Sequence, residues 1–135
     1  MRHGPLLRSA RKRIRRQAEA VAFHGTRALR LSPFDPRAYE AHLALGMAAV
    51  SEGRYEDAVG CFARGFEINS NHSVMPFFHA IALALAGRAE DATPSVRRGL
   101  ELEPGFRIRV FSEFGMARPL AEKFEQGARV LGLLE

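Results

Sequence analysis

The sequence predicts an all-α protein: stacked antiparallel helix pairs, closed by a C-terminal helix. Three observations carry this. The stretch Gly53-Arg54-Tyr55-Glu56-Asp57-Ala58 returns thirty-four residues later as Gly87-Arg88-Ala89-Glu90-Asp91-Ala92, and Gly65-Phe66-Glu67-Ile68 returns as Gly99-Leu100-Glu101-Leu102. The same shift pairs Leu45-Gly46 with His79-Ala80. A fixed period of this length marks a repeat architecture, in which one supersecondary unit buries its apolar side against the next. Between the matched turns, apolar residues recur at helical spacing.

The elements follow in order. Residues 1–16 form a basic arm or partial helix without acids, including Arg8, Arg11, Lys12, Arg13, Arg15 and Arg16. From Gln17 the pattern turns helical, with Ala18, Val21, Ala22, Ala28, Leu29 and Leu31 largely on one side. Ser32-Pro33-Phe34-Asp35-Pro36 ends that run, because two prolines block helix continuation. Four helices are then expected at about 37–51, 55–68, 73–86 and 89–102. Gly53 and Gly87 sit just past the first helix of each pair, where glycine can adopt the left-handed conformation that closes a last turn. Asn69-Ser70-Asn71 and Glu103-Pro104-Gly105 separate the units. Pro94 falls inside the fourth helix. Either Thr93 caps a helix that starts there, or the helix kinks. The segment 107–135 breaks the period and ends in a helix over about 118–131. Leu120, Phe124, Ala128 and Leu131 would form its apolar side, suiting it to close the array.

Composition narrows the function classes. The 135 residues are 47% hydrophobic and 26% charged, which fits one globular domain and argues against disorder. No apolar run reaches the roughly 18 residues a bilayer crossing requires. The single cysteine, Cys61, rules out an internal disulfide and favours a reducing, cytoplasmic setting. The net charge of +5 hides an asymmetry: residues 1–30 carry nine Arg or Lys against one acid, while residues 31–135 carry eleven against fourteen. Lysine occurs only at Lys12 and Lys123, beside heavy use of arginine and alanine, a usage typical of GC-rich bacterial coding.

The spacing and the residues that hold it resemble the tetratricopeptide repeat (TPR). In the unit from about 39 to 72 the matching positions are Leu45, Gly46, Gly53, Tyr55, Ala58 and Phe62, with Gly65 where the family usually has alanine. In the next unit they are Ala80, Gly87, Ala92, Leu100 and Pro104, and Ala28-Leu29-Arg30-Leu31-Ser32-Pro33 resembles the end of a preceding one. The resemblance covers residues 17–106 and implies a TPR-type superhelix of one partial and two full repeats around a concave groove. By the family's geometry that groove would be lined by Glu40, Leu43, Met47, Val50, Val74, Phe77, Ile81 and Leu85. These residues are mostly apolar. The lysines and asparagines with which some members clamp acidic chain ends are missing, so the implied ligand is an apolar or amphipathic segment. The other outcome is a groove filled by the chain's own tail helix. The phrase running from Ala28 to Pro36, together with the closing Gly127-Ala128-Arg129-Val130-Leu131-Gly132-Leu133-Leu134-Glu135, is also similar to the C-terminal repeat tails of bacterial class III nucleotide cyclases and related winged-helix regulators.

Catalysis finds no candidate constellation. His3, His24, His42, His72 and His79 show no spacing that would hold zinc, and no cofactor motif is present. Cys61 beside Phe62 on a helix reads as a structural thiol. Glu56-Asp57 and Glu90-Asp91 open helices, where acids suit the positive end of the dipole. The leading expectation is therefore a non-enzymatic scaffold that binds a protein or peptide partner through the groove. A regulatory tail of a cyclase or transcription regulator is the alternative. A third reading has the basic arm binding nucleic acid or an acidic surface through phosphate contacts, although like-charge runs are more usually solvated.

Overall fold

A computed structural model describes residues 38–113 and 115–135; the basic arm, the helical stretch from Gln17 and the proline turn before Arg37 lie outside the described residues. All regular structure among the described residues is helical. Helix α1 spans Ala38–Ser51, α2 Tyr55–Ile68, α3 Met75–Leu85, α4 Thr93–Leu102, α5 Val110–Glu113 and α6 Arg118–Val130, and a 3-10 turn, Ala89–Ala92, leads into α4.

The first two helices form an antiparallel hairpin. Gly46 of α1 lies against the Phe62 ring of α2, and His42 lies against Gly65, so numbers fall on one helix as they rise on the other. The second hairpin repeats the arrangement: the Phe77 ring of α3 lies over Gly99 of α4, and His79 reaches Ser95. Large faces small at each crossing. A β-carbon on Gly99 would stand 2.8 Å from the tip of Phe77, and Ala58, Ala80 and Ala92 are fully buried. Successive units join through α2 and α3, where Phe62 meets Phe78 at a centroid distance of 5.6 Å.

The thirty-four-residue period extends to the backbone hydrogen bonds. The α1 hairpin turn is closed by Arg54 N–H to Ala49 O at 2.8 Å and Gly53 N–H to Val50 O at 3.1 Å. The α3 turn is closed by Arg88 N–H to Leu83 O at 2.8 Å and Gly87 N–H to Ala84 O at 3.1 Å. Both glycines have positive φ, 78° and 81°, which lets the last carbonyls of each helix find donors without a side-chain clash. The second helices end alike as well: Asn69 N–H bonds Gly65 O, and Glu103 N–H bonds Gly99 O. Gly132, at φ 75°, stops α6 by the same device, with Leu133 N–H on Ala128 O.

The two prolines explain where the helix bounds depart from expectation. Pro76 has no N–H to donate and is accommodated in the first turn of α3, which begins at Met75 rather than Ser73. The His72 ring takes up the Met75 N–H at 3.1 Å. Pro94 likewise falls in the first turn of α4, so neither a Thr93 side-chain cap nor a kinked long helix forms. The preceding turn tightens to 3-10 geometry. The Glu90 carbonyl, which Pro94 cannot bond, receives the Thr93 hydroxyl at 3.4 Å.

Two glycine substitutions should move stability in opposite directions. A methyl at Gly46 would collide with the ring of Phe62, which is fully buried and hemmed in by other phenylalanines. Gly46→Ala should therefore destabilise by about 1–3 kcal/mol. Gly60, exposed inside α2 with open space where a β-carbon would stand, should gain from Gly60→Ala by about 0.5–1 kcal/mol. Urea unfolding of both variants checks the pair of signs.

Candidate functional site

The tail crosses the face of the two hairpins on which the family resemblance would put a docking groove. Past α4, Phe106 stacks on Phe77 at 3.9 Å with the rings 14° from parallel. Ile108 and Phe111 are buried behind it. The chain then passes Gly115 and returns as α6, which packs on α3 and on α1. Phe124 is the anchor of this helix. Its ring lies 5.2 Å from Phe78, 5.3 Å from Phe111 and 6.4 Å from Phe62, and it is fully buried. Four aromatic rings from α2, α3, α5 and α6 thus share one core.

Two further residues fix the tail helix. A β-carbon on Gly127 would stand 2.7 Å from Ile81 Cγ2 and 3.1 Å from the Ile81 carbonyl oxygen, so only glycine allows this approach. The Lys123 ammonium donates to the carbonyls of Val50 and Ser51, each at 3.1 Å, and lies 5.8 Å from the Tyr55 ring centroid. A cation on the last carbonyls of α1 adds a second donor to Val50 O, which already accepts Gly53 N–H, and complements the helix dipole. The extreme C-terminus is held by the Ile108 N–H on Leu134 O at 2.8 Å.

The eight residues expected to line the groove are consequently divided. Val50, Phe77 and Ile81 are fully buried. Leu85 is half-buried, close to Gly127, and Glu40 is exposed at the start of α1. Leu43, Met47 and Val74 remain together on an open cleft of about 620 Å³. The tail supplies its far wall with Met116 and Leu120, Phe78 lies at its base, and His72 and Ser73 form a polar edge. The tail packs over the buried Val50, Phe77 and Ile81, while Leu43, Met47 and Val74 face open space. Helical phase within α3 does not reveal which unit Phe78 faces, and Met116 precedes the predicted tail helix. The basic-arm arginines and Lys12 lie outside the described residues.

The titratable groups are tuned chiefly by burial. Burial lowers the pKa of His72, and of His42 and His79 with help from the positive charges of Arg64 and Arg88 respectively; Glu67 opposes the shift at His42. Burial, then the Asp57 carboxylate, raises the Cys61 thiol, which therefore stays protonated at neutral pH. His79 Nδ1 lies 2.6 Å from Ser95 Oγ, at the positions where the first hairpin has Leu45 and Cys61. This polar pair spans a hairpin interface in place of an apolar one. Among the described residues no three metal-binding side chains converge, and no helix is long and apolar enough to cross a membrane. No family model, curated protein or solved structure matches the chain.

The three histidines set an acid limit. Their folded pKa values lie below the ordinary 6.5, so the unfolded chain binds protons more readily. Stability should be complete above that value and fall as pH drops through it towards the folded values. Urea midpoints should decrease between pH 7.5 and 5.5, and His79→Gln should flatten part of the dependence.

Proposed function

We propose that the chain is a non-catalytic adaptor of the tetratricopeptide type, which binds an apolar or amphipathic segment of a protein partner in the cleft bounded by α1, α3 and the start of α6. The observation that carries this reading is the cleft itself. Leu43, Met47, Val74, Phe78, Met116 and Leu120 converge on about 620 Å³ of open space between the two hairpins and the tail. Apolar walls with a narrow polar edge suit a short helix or extended strand that inserts one or two large side chains. Met47 and Met116 add unbranched, polarizable walls that adapt to different shapes. The TPR reading is supported by hairpin turns whose hydrogen bonds recur at the thirty-four-residue shift.

The tail phrase that resembles cyclase and regulator tails has a packing explanation. Gly127 admits Ile81, Ala128 is buried, Gly132 stops α6, and Leu134 bonds Ile108. Those residues describe a way of closing the array, and they add no chemistry beyond it.

The reading is tested by placing a photo-crosslinking amino acid at Met47 in the native host and identifying the adduct by mass spectrometry. One dominant protein adduct is expected, lost with Leu43→Glu or Val74→Glu in variants whose helical circular dichroism and melting temperature are retained. An adduct that survives both substitutions would remove the cleft as the site. Charged residues at Phe77 or Ile81 would instead report on folding, because both side chains are fully buried.

A further inference from the structure

The last full helix of the array presents an end surface that α6 leaves open. Within the array, α2 meets the following unit through Phe62 and Phe66, which pack in the core, and through Glu56, which takes Arg88 of the next hairpin in two hydrogen bonds of 2.8 and 2.9 Å. Shifted by thirty-four residues, that set becomes Val96, Leu100 and Glu90 on the 3-10 turn and α4. These three residues line an open cleft of about 570 Å³ together with Thr93, Arg97 and Val130. Leu100 is 39% exposed and Val130 60%, whereas most of the large apolar residues are covered. Asp91 and Arg98 are engaged in ion pairs with Arg88 and Glu101; their neighbours Glu90 and Arg97 are in none among the described residues.

The arrangement of charge selects the occupant. Glu90 and Arg97 are seven positions apart on one face, about two helical turns or roughly 10 Å. Opposite charges at that separation, with Thr93 and Val96 between them, are self-complementary under a twofold axis. Two such faces laid antiparallel bring Glu90 of one copy to Arg97 of the other, twice, and close the apolar cleft between them. An isologous contact needs a patch that matches itself in this way. The geometry points to a homodimer formed through the outer face of α4, with reciprocal Glu90–Arg97 pairs as its register, Thr93 and Val96 nearest the twofold axis, and Leu100 and Val130 covered at its two ends.

The full chain tests this by sedimentation equilibrium at low ionic strength. A monomer–dimer equilibrium is expected. Glu90→Arg alone and Arg97→Glu alone should each weaken the dimer by about tenfold or more, since reversal sets like charges opposite each other. The double variant Glu90→Arg with Arg97→Glu should restore it, and Leu100→Glu should abolish it with the circular dichroism spectrum unchanged. A chain that stays monomeric at every accessible concentration would overturn the proposal. So would a dimer indifferent to these substitutions, or one that the double reversal fails to rescue.

Discussion

The close approach of α6 to α3 at Gly127 and Ile81 sets how the rest of the molecule packs. Two helical hairpins side by side leave an apolar hollow made of Val50, Phe77, Phe78 and Ile81, and neither hairpin can cover it. The tail helix does so only because one of its turns carries no side chain where the Ile81 backbone passes. That proximity lets Phe124 reach the Phe62, Phe78 and Phe111 rings. Burying a phenylalanine side chain contributes about 1.5–3 kcal/mol, and edge and offset contacts between rings add to it. Lys123 then fixes the rotation of α6 by reaching the end of α1. Glycine, phenylalanine and lysine lie within five residues of one another, so a short sequence specifies the docking of the whole tail.

Much of this architecture was legible in the sequence, and the part that was not has a definite cause. The period located Gly53 and Gly87 as helix stops, and the structure gives both a positive φ and the same pair of turn bonds. The hairpins are local objects, whose helices meet through residues a few turns apart in the chain. The groove is different. Leu120, Phe124, Ala128 and Leu131 show that α6 has an apolar side, but helical phase does not name the surface that side meets. Gly127 was the available signal: a glycine inside an exposed-looking helix costs about 1 kcal/mol against alanine and usually has a packing reason. Lys123 was a second signal, being one of two lysines in an arginine-rich chain. The burial of Phe77 and Ile81 follows from Gly127, and neither residue shows it alone.

The exposed charges repeat with the fold and serve register more than stability. Arg54 pairs with Asp57 and Arg88 with Asp91, the same local bond in each unit. Arg88 also crosses to Glu56 of the unit before it. These side chains are roughly half exposed, and pairs of this kind contribute about 0–1 kcal/mol each. Arg88 donates from Nη1 to both Glu56 oxygens while its Nε bonds Asp91, and this constrains how one hairpin sits on the next, since a one-turn slip would break both hydrogen bonds to Glu56. Apolar burial between α2 and α3 supplies the energy of stacking, and the ion pair supplies the alignment.

A single tail helix has one apolar side, and this one is spent on α3 and α1. The path actually taken, Phe106 onto Phe77 and then Phe124 into the shared core, sends the chain inward directly after α4. Only Leu131 and its neighbours at the far end of α6 return towards Val96. The two open surfaces therefore have one origin. Where α6 begins, it stops short of Leu43, Met47 and Val74 and leaves a concave apolar cleft with methionine walls. Where it ends, it stops short of Leu100 and leaves a surface edged by acid and base. A concave apolar site suits an inserted side chain, and a charged apolar surface suits apposition. The differing chemistry of these surfaces follows from the points at which one thirteen-residue helix starts and stops.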